Sequence, residues 1–171
     1  WRHLLRKRFR LPGGAEADFD IFGNDTFVTV AALTEDEEFI LIRQFRPGPE
    51  KVLLSFAEGF LDEGESPEAT ARRELLEETG YEAGKIEVLK EISSSYSTGR
   101  QICLLATGCR QTGRQNLDRE EFIEVLTADR PTLRRWITDP GRTDLTNIDC
   151  FYLALERLGQ KNEKNSPAST G

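Results

Sequence analysis

Two apolar runs, FVTVAAL at 27–33 and FILIRQF at 39–45, most limit what this chain can become. Their β-branched and aromatic content reads as strand, and the scarcity of polar residues within them means that both strands are well buried. The acidic turn TEDEE separates them. After RPGPE a further strand, KVLLSFAE, leads to Gly59, and KIEVLKEIS, QICLLATGC and FIEVLTA at 122–128 add more. Near the start, KRFRL and DFDIF alternate polar and apolar residues around a PGG turn, which predicts a hairpin. The basic run Arg6-Lys7-Arg8 then reads as a solvated strand face rather than an anion site.

Helix signals are fewer. Ser66-Pro67 supplies a cap residue and a first-turn proline, and Gly80 is the matching stop. A second helix follows Pro131 in TLRRWIT, and a third runs through LTNIDCFYLALERLG, where Ile148, Phe151, Tyr152 and Leu155 recur at helical spacing. Strands interleaved with few helices predict a mixed sheet flanked by helices, of α/β or α+β class. The polar, aperiodic tail QKNEKNSPASTG reads as disordered.

Composition narrows the function. A chain of 171 residues holds one core and leaves little room for two ordinary domains. Thirty acidic against 23 basic residues argue against nucleic acid as a partner, which calls for a basic face. Cys103, Cys109 and Cys150 form no CxxC pair and sit in or beside apolar runs, so they read as buried hydrophobes in a reducing cytoplasm. With His3 the single histidine, any metal must be held by oxygen, which points to magnesium or manganese. No apolar run approaches a membrane span and no leader is visible, so no membrane is expected as a partner. Because residue 1 is Trp, an address signal upstream stays open.

The stretch GFLDEGESPEATARRELLEETGY stands apart. At about 100° per residue, Glu74, Glu77 and Glu78 share one arc of the helix, with Ala69, Leu75, Leu76 and Thr79 opposite. Like charges three and four residues apart repel, and Arg73 relieves only part of this. An exposed acidic face is the plain explanation. Against it, Gly59 opens a loop carrying Asp62, Glu63 and Glu65 that feeds straight into this helix. Hard oxygen ligands crowded at a loop–helix junction suit a divalent cation, which turns repulsion into attraction.

These residues resemble the Nudix hydrolase signature: Gly59, Glu65, Arg73-Glu74, Leu75, Glu77-Glu78, Gly80 and Tyr81 fill every fixed position in order. IRQFRPG, ADFDIF and ITDPGRTDLTNIDCFYLAL resemble the ADP-ribose and nucleoside-diphosphate-sugar pyrophosphatase branch. The resemblance implies an α/β/α sandwich with a mixed sheet at 23–159. It also implies a β-strand extension at 1–22 that exchanges across a homodimer, and the tail begins at 160. The implied activity is magnesium- or manganese-dependent cleavage of the pyrophosphate bond of ADP-ribose or a related nucleotide sugar, a small-molecule substrate, giving a nucleoside monophosphate and a sugar phosphate. Glu74, Glu77 and Glu78 are implied metal ligands, with the Glu58 backbone carbonyl a further one. Arg73 orients the carboxylates and Glu65 supports them. Glu121, with Glu120 as fallback, is the implied general base or extra ligand, and Arg46 the implied phosphate contact.

Two departures bear on specificity. Relatives commonly carry Glu-Leu-Pro-Ala before the box glycine, whereas this chain reads Ser55-Phe56-Ala57-Glu58. In the later loop, YSTGR places Thr98 where the branch has proline, leaving Thr98, Gly99 and Arg100 as substrate-binding candidates. Alternatives are hydrolysis of a dinucleotide polyphosphate or a coenzyme A derivative, and a regulator that binds nucleotide sugar without turnover.

Overall fold

The structure, a computed structural model, describes residues 3–165, with side chains as far as Gln160. In chain order the elements are β1 (His3–Arg10), β2 (Glu16–Gly23), β3 (Phe27–Thr34), β4 (Phe39–Arg46), β5 (Lys51–Ser55), β6 (Ala57–Phe60), α1 (Pro67–Thr79), β7 (Tyr81–Glu82), β8 (Lys85–Ser93), β9 (Arg100–Gln111), β10 (Ile123–Ala128), α2 (Arg130–Thr138) and α3 (Ile148–Asn165). β1 and β2 form a two-stranded antiparallel sheet of their own, and the other eight strands form one mixed sheet. Only the β3–β9 pairing among these is parallel; β4 lies antiparallel to β3 and to β10, and β8 antiparallel to β9.

Both faces of the large sheet are covered, which explains the unbroken apolar runs. Val28, Val30 and Ala32 of β3 pack with Ala71 and Leu75 of α1, while Ala31 and Leu33 pack with Leu133 of α2 and with Phe151 and Ala154 of α3. Alternate residues of one strand thus feed two cores, and the α/β/α sandwich expected from sequence is the fold observed. Cys103, Cys109 and Cys150 are buried within these cores as free thiols, and burial lifts the Cys109 thiol to about 11. No described helix is long and apolar enough to cross a membrane.

Three details differ from the sequence reading. KVLLSFAE is not one strand: β5 pairs with β4 and β6 with β3, so the run changes partner at Phe56. The short β7, which pairs with the end of β9, carries no local signal of its own. α3 continues past Gly159 to Asn165, into the segment read as disordered, because one glycine lowers helix propensity without ending a helix that good helix formers continue. The remainder of that tail, 166–171, lies outside the described residues.

The β1–β2 hairpin is fastened to the large sheet at one end. The Phe22 amide donates to the Tyr96 carbonyl (2.8 Å) and the Thr98 amide donates back to the Phe22 carbonyl (2.9 Å). Its basic run is a solvated face, as read: Arg6 and Arg8 pair across the strands with Asp20 and Asp18.

Candidate active site

α1 begins and ends where its sequence signals lie. The Ser66 hydroxyl accepts from the Ala69 amide (3.2 Å), and Gly80 closes the helix at φ +76°, its amide donating to the Leu76 carbonyl. Between these caps the structure corrects the two-faced picture. Ala69 is exposed, whereas Glu78 is 5% exposed and shares the buried side with Thr70, Ala71, Leu75 and Thr79.

Burial is the main force on the Glu78 carboxyl, which is pushed up to about 8. The Glu58 amide, donating to Glu78 Oε2 at 3.0 Å, opposes the shift; the charges of Glu74, Glu58 and Glu121 add to it. Burial also raises Glu74, against the pull of Arg73 and with the push of Glu77 and Glu121. Carboxyls raised by burial and by their acidic neighbours suit a cation, whose charge favours their ionised form.

Gly59 makes room for this crowding. A Cβ built there would lie 1.9 Å from the Glu74 carboxyl carbon and 1.9 Å from its Oε1, so the box glycine is the space into which Glu74 packs. Arg73 sits among the acids. Its Nη1 donates to Glu74 Oε1 (2.6 Å) and Glu77 Oε2 (3.3 Å), its Nη2 to Glu65 Oε2 (3.1 Å), and Asp62 lies at 3.7 Å. Glu65 is held in turn by the Thr70 hydroxyl at 2.8 Å, and these donors keep its carboxyl below the usual range.

The loop between β9 and β10 caps the end of α1. Gln115 Nε2 donates to the Glu78 carbonyl (2.7 Å) and the Ile123 carbonyl (3.0 Å), and the Asn116 amide donates to the Glu77 carbonyl (2.8 Å). Helix-end carbonyls without partners inside the helix are thereby satisfied. The same loop carries Glu121, whose Oε2 accepts from the Asp118 amide at 3.1 Å.

Arg46, Glu58, Arg73, Glu74, Glu77, Glu78, Gly99 and Glu121 all line one cleft of about 1100 Å³. Glu120 is exposed and is not on its wall. Neither are Thr98 and Arg100: the Thr98 hydroxyl is exchanged with the Asn24 backbone at 3.2 Å, and Arg100 donates to Glu91 at 2.8 Å. The cleft also has members that the sequence reading missed, among them Phe22, Phe27 and Phe60, Gln101, Asn116 and Asp118. Phe27 and Phe60 meet edge to face, with ring centroids 6.5 Å apart. A hairpin phenylalanine and two from paired strands have no local pattern that separates a cleft wall from a core.

Among the described residues, no three acidic, histidine or cysteine side chains converge as metal ligands, and Glu74 and Glu77 instead pair with Arg73. The donor set nevertheless fits a hard cation: oxygen ligands alone, two of them in carboxyls raised by burial and by neighbouring carboxylates.

Comparison with known proteins places this geometry. The NUDIX domain profile matches residues 25–147. The chain is 32% identical to a methanol dehydrogenase activator of Bacillus methanolicus, over 85% of this chain and 81% of that protein. It is 33% identical to an ADP-ribose pyrophosphatase of Bacillus subtilis, over 68% of this chain and 64% of that one. A crystal structure of an ADP compounds hydrolase shares the fold with a TM-score of 0.79 at 23% identity, covering 94% of this chain and 88% of that one. The profile match and the complete box agree: the chain belongs to the Nudix hydrolase family, in the branch that holds the ADP-ribose pyrophosphatases.

Proposed function

We propose that the protein hydrolyses the pyrophosphate bond of ADP-ribose or a related nucleoside diphosphate sugar, with magnesium or manganese, releasing a nucleoside monophosphate and a sugar phosphate. One observation carries the reading: the raised carboxyls of partly buried Glu74 and buried Glu78 share a cleft with an arginine and an aromatic wall. Carboxylates alone would repel a diphosphate, and an arginine with aromatics would bind one without cutting it. Together they serve an anionic substrate with a flat base.

Glu74, Glu77 and Glu78, with the Glu58 carbonyl, would hold the divalent ions, which screen the phosphates and acidify a bound water. Arg73 keeps Glu74 and Glu77 oriented through its own hydrogen bonds. Arg46 offers guanidinium donors to the diphosphate oxygens. Phe22, Phe27 and Phe60 provide an apolar surface for the nucleoside. Glu121, its rotamer fixed by the Asp118 amide, takes a proton from the attacking water. Water's hydroxyl joins one phosphorus as the bridging oxygen leaves with the other, and the proton ends on the product phosphates.

The B. subtilis relative supports the substrate class, and the B. methanolicus relative supports a second reading, a regulator that binds the same ligand. Purified protein with magnesium and a panel of nucleotide sugars, assayed by phosphatase-coupled phosphate release, separates them. Turnover of ADP-ribose supports the enzyme; ligand bound without release across the panel supports the regulator. We further propose a homodimer, since Leu4, Phe9 and Phe22 leave the hairpin with exposed apolar surface; a monomeric mass by light scattering would refute it.

A further inference from the structure

The Glu58 side chain, on the cleft wall, bridges two partners. Glu58 Oε1 pairs with Arg46 Nη2 on the cleft wall, and Glu58 Oε2 accepts from Asn147 Nδ2 at 3.2 Å. Glu58 and Arg46 are both largely shielded, at 23% and 33% side-chain exposure, so their pair escapes much of the screening that weakens a surface ion pair.

Asn147 is itself held from two sides. Its backbone lies at φ +55°, in the left-handed region that asparagine tolerates better than most residues. Its Oδ1 accepts from the Thr146 hydroxyl at 3.2 Å, which directs the amide NH2 toward Glu58. The preceding chain is stitched to β5: the Leu54 amide donates to the Asp144 carbonyl (2.6 Å), and the Thr146 amide donates to the Leu54 carbonyl (3.0 Å). The segment before α3 therefore reaches across the sheet edge and delivers one amide group to Glu58.

We propose that Asn147 and Glu58 form a positioning relay that sets the Arg46 guanidinium for the substrate diphosphate. The relay rests on the diphosphate reading of the same cleft and adds residues that reading does not assign. Arg46 carries five N–H donors, and with one edge of the guanidinium anchored by Glu58 the others are presented in a fixed plane. An arginine free to rotate would have to be ordered by each substrate, which weakens binding without altering the chemistry. Glu58 also ties this device to the acidic helix, because its own amide holds Glu78 Oε2 while its side chain holds Arg46. One residue thus fixes the spacing between the phosphate-binding arginine and the ligand-bearing carboxylate.

The decisive variant is Asn147→Gly, which keeps the left-handed backbone and removes the amide. The relay predicts that KM for ADP-ribose rises about tenfold with kcat within about threefold, and that Glu58→Gln shifts KM in the same direction. In an Arg46→Ala background, Asn147→Gly should add less than about twofold, because its effect passes through Arg46. An unchanged KM in Asn147→Gly, or an equal increment with and without Arg46, overturns the relay; a merely structural bond would lower Tm and leave KM alone. Calorimetry with ADP and magnesium keeps the two proposals distinguishable. Wild-type protein that binds ADP but cleaves no nucleotide sugar refutes the hydrolase, and the ADP Kd ratio between wild type and Asn147→Gly still judges the relay. Wild-type protein that binds no ADP refutes both.

Discussion

The β1–β2 hairpin and helix α1 are both dense in charge, and they use it in opposite ways. On the hairpin each arginine meets one aspartate directly across the strands: Arg6 with Asp20 and Arg8 with Asp18, each through contacts of 2.7 and 2.9 Å. Charges balance locally, all four side chains face water, and each arginine draws its partner carboxyl below the usual range. On α1 a single guanidinium, that of Arg73, faces Asp62, Glu65, Glu74 and Glu77, and Glu78 is buried beside them. There the acids outnumber the one guanidinium, and burial holds Glu78 largely neutral rather than charged. An exposed, paired surface is explained by solubility; a partly buried surplus of acids suits a cation.

The largest expected effect breaks the α1 side of this comparison. Glu78→Gln should lower ADP-ribose turnover by about 100-fold or more while the fold survives, since the amide is nearly isosteric. Turnover within twofold of wild type, in the coupled phosphate assay, would mean that the acidic face is structural. Gly59→Ala comes next. Its methyl would overlap the Glu74 carboxyl, and displacing Glu74 should cost about 1–3 kcal/mol in urea denaturation and at least about tenfold in turnover.

A smaller effect lies in pH. Glu78 is held at about 8, above the ordinary value for a glutamate, so its neutral form is favoured in the folded state. Its contribution to stability is complete below about pH 4 and is lost as pH rises through about 8. In the presence of a chelator, Tm should therefore fall between pH 6 and pH 8.5 by more in wild type than in Glu78→Gln, read by calorimetric melts at each pH. Magnesium should raise Tm more at the higher pH, where the ionised carboxyls bind it. The smallest effect is on the hairpin: the double change Arg8→Ala and Asp18→Ala should move Tm by less than about two degrees and leave turnover unchanged. A large loss of activity there would extend the hairpin's part in the site beyond Phe22.

Much of this was legible in the sequence. The boundaries of α1 follow from Ser66, Pro67 and Gly80 because capping is a local event, decided by hydrogen bonds that reach three or four residues. β8 runs over the residues read as KIEVLKEIS because β propensity and turn residues act over the same short range. The acidic residues of the box were legible for the same reason, since helical spacing alone groups them. What local pattern could not give was direction. Helical periodicity grouped Glu78 with Glu74 and Glu77 without deciding how far that arc is covered; in the fold Glu78 is 5% exposed and accepts from the Glu58 amide of β6. YSTGR supplied Thr98, Gly99 and Arg100 as substrate candidates, but Thr98 turns to Asn24 and Arg100 to Glu91, leaving Ser97 and Gly99 on the cleft wall.

The sequence by itself determined that a mixed sheet would lie between helices and that a cation-seeking group of acids would stand on one of them. Only the tertiary structure decided which acid is buried, that Glu74 packs over residue 59, and that Asn147 reaches Glu58, the partner of Arg46. The division has a physical cause: capping, periodicity and propensity are settled among neighbours in the chain, whereas burial and hydrogen-bond partnership at this cleft join residues far apart in sequence.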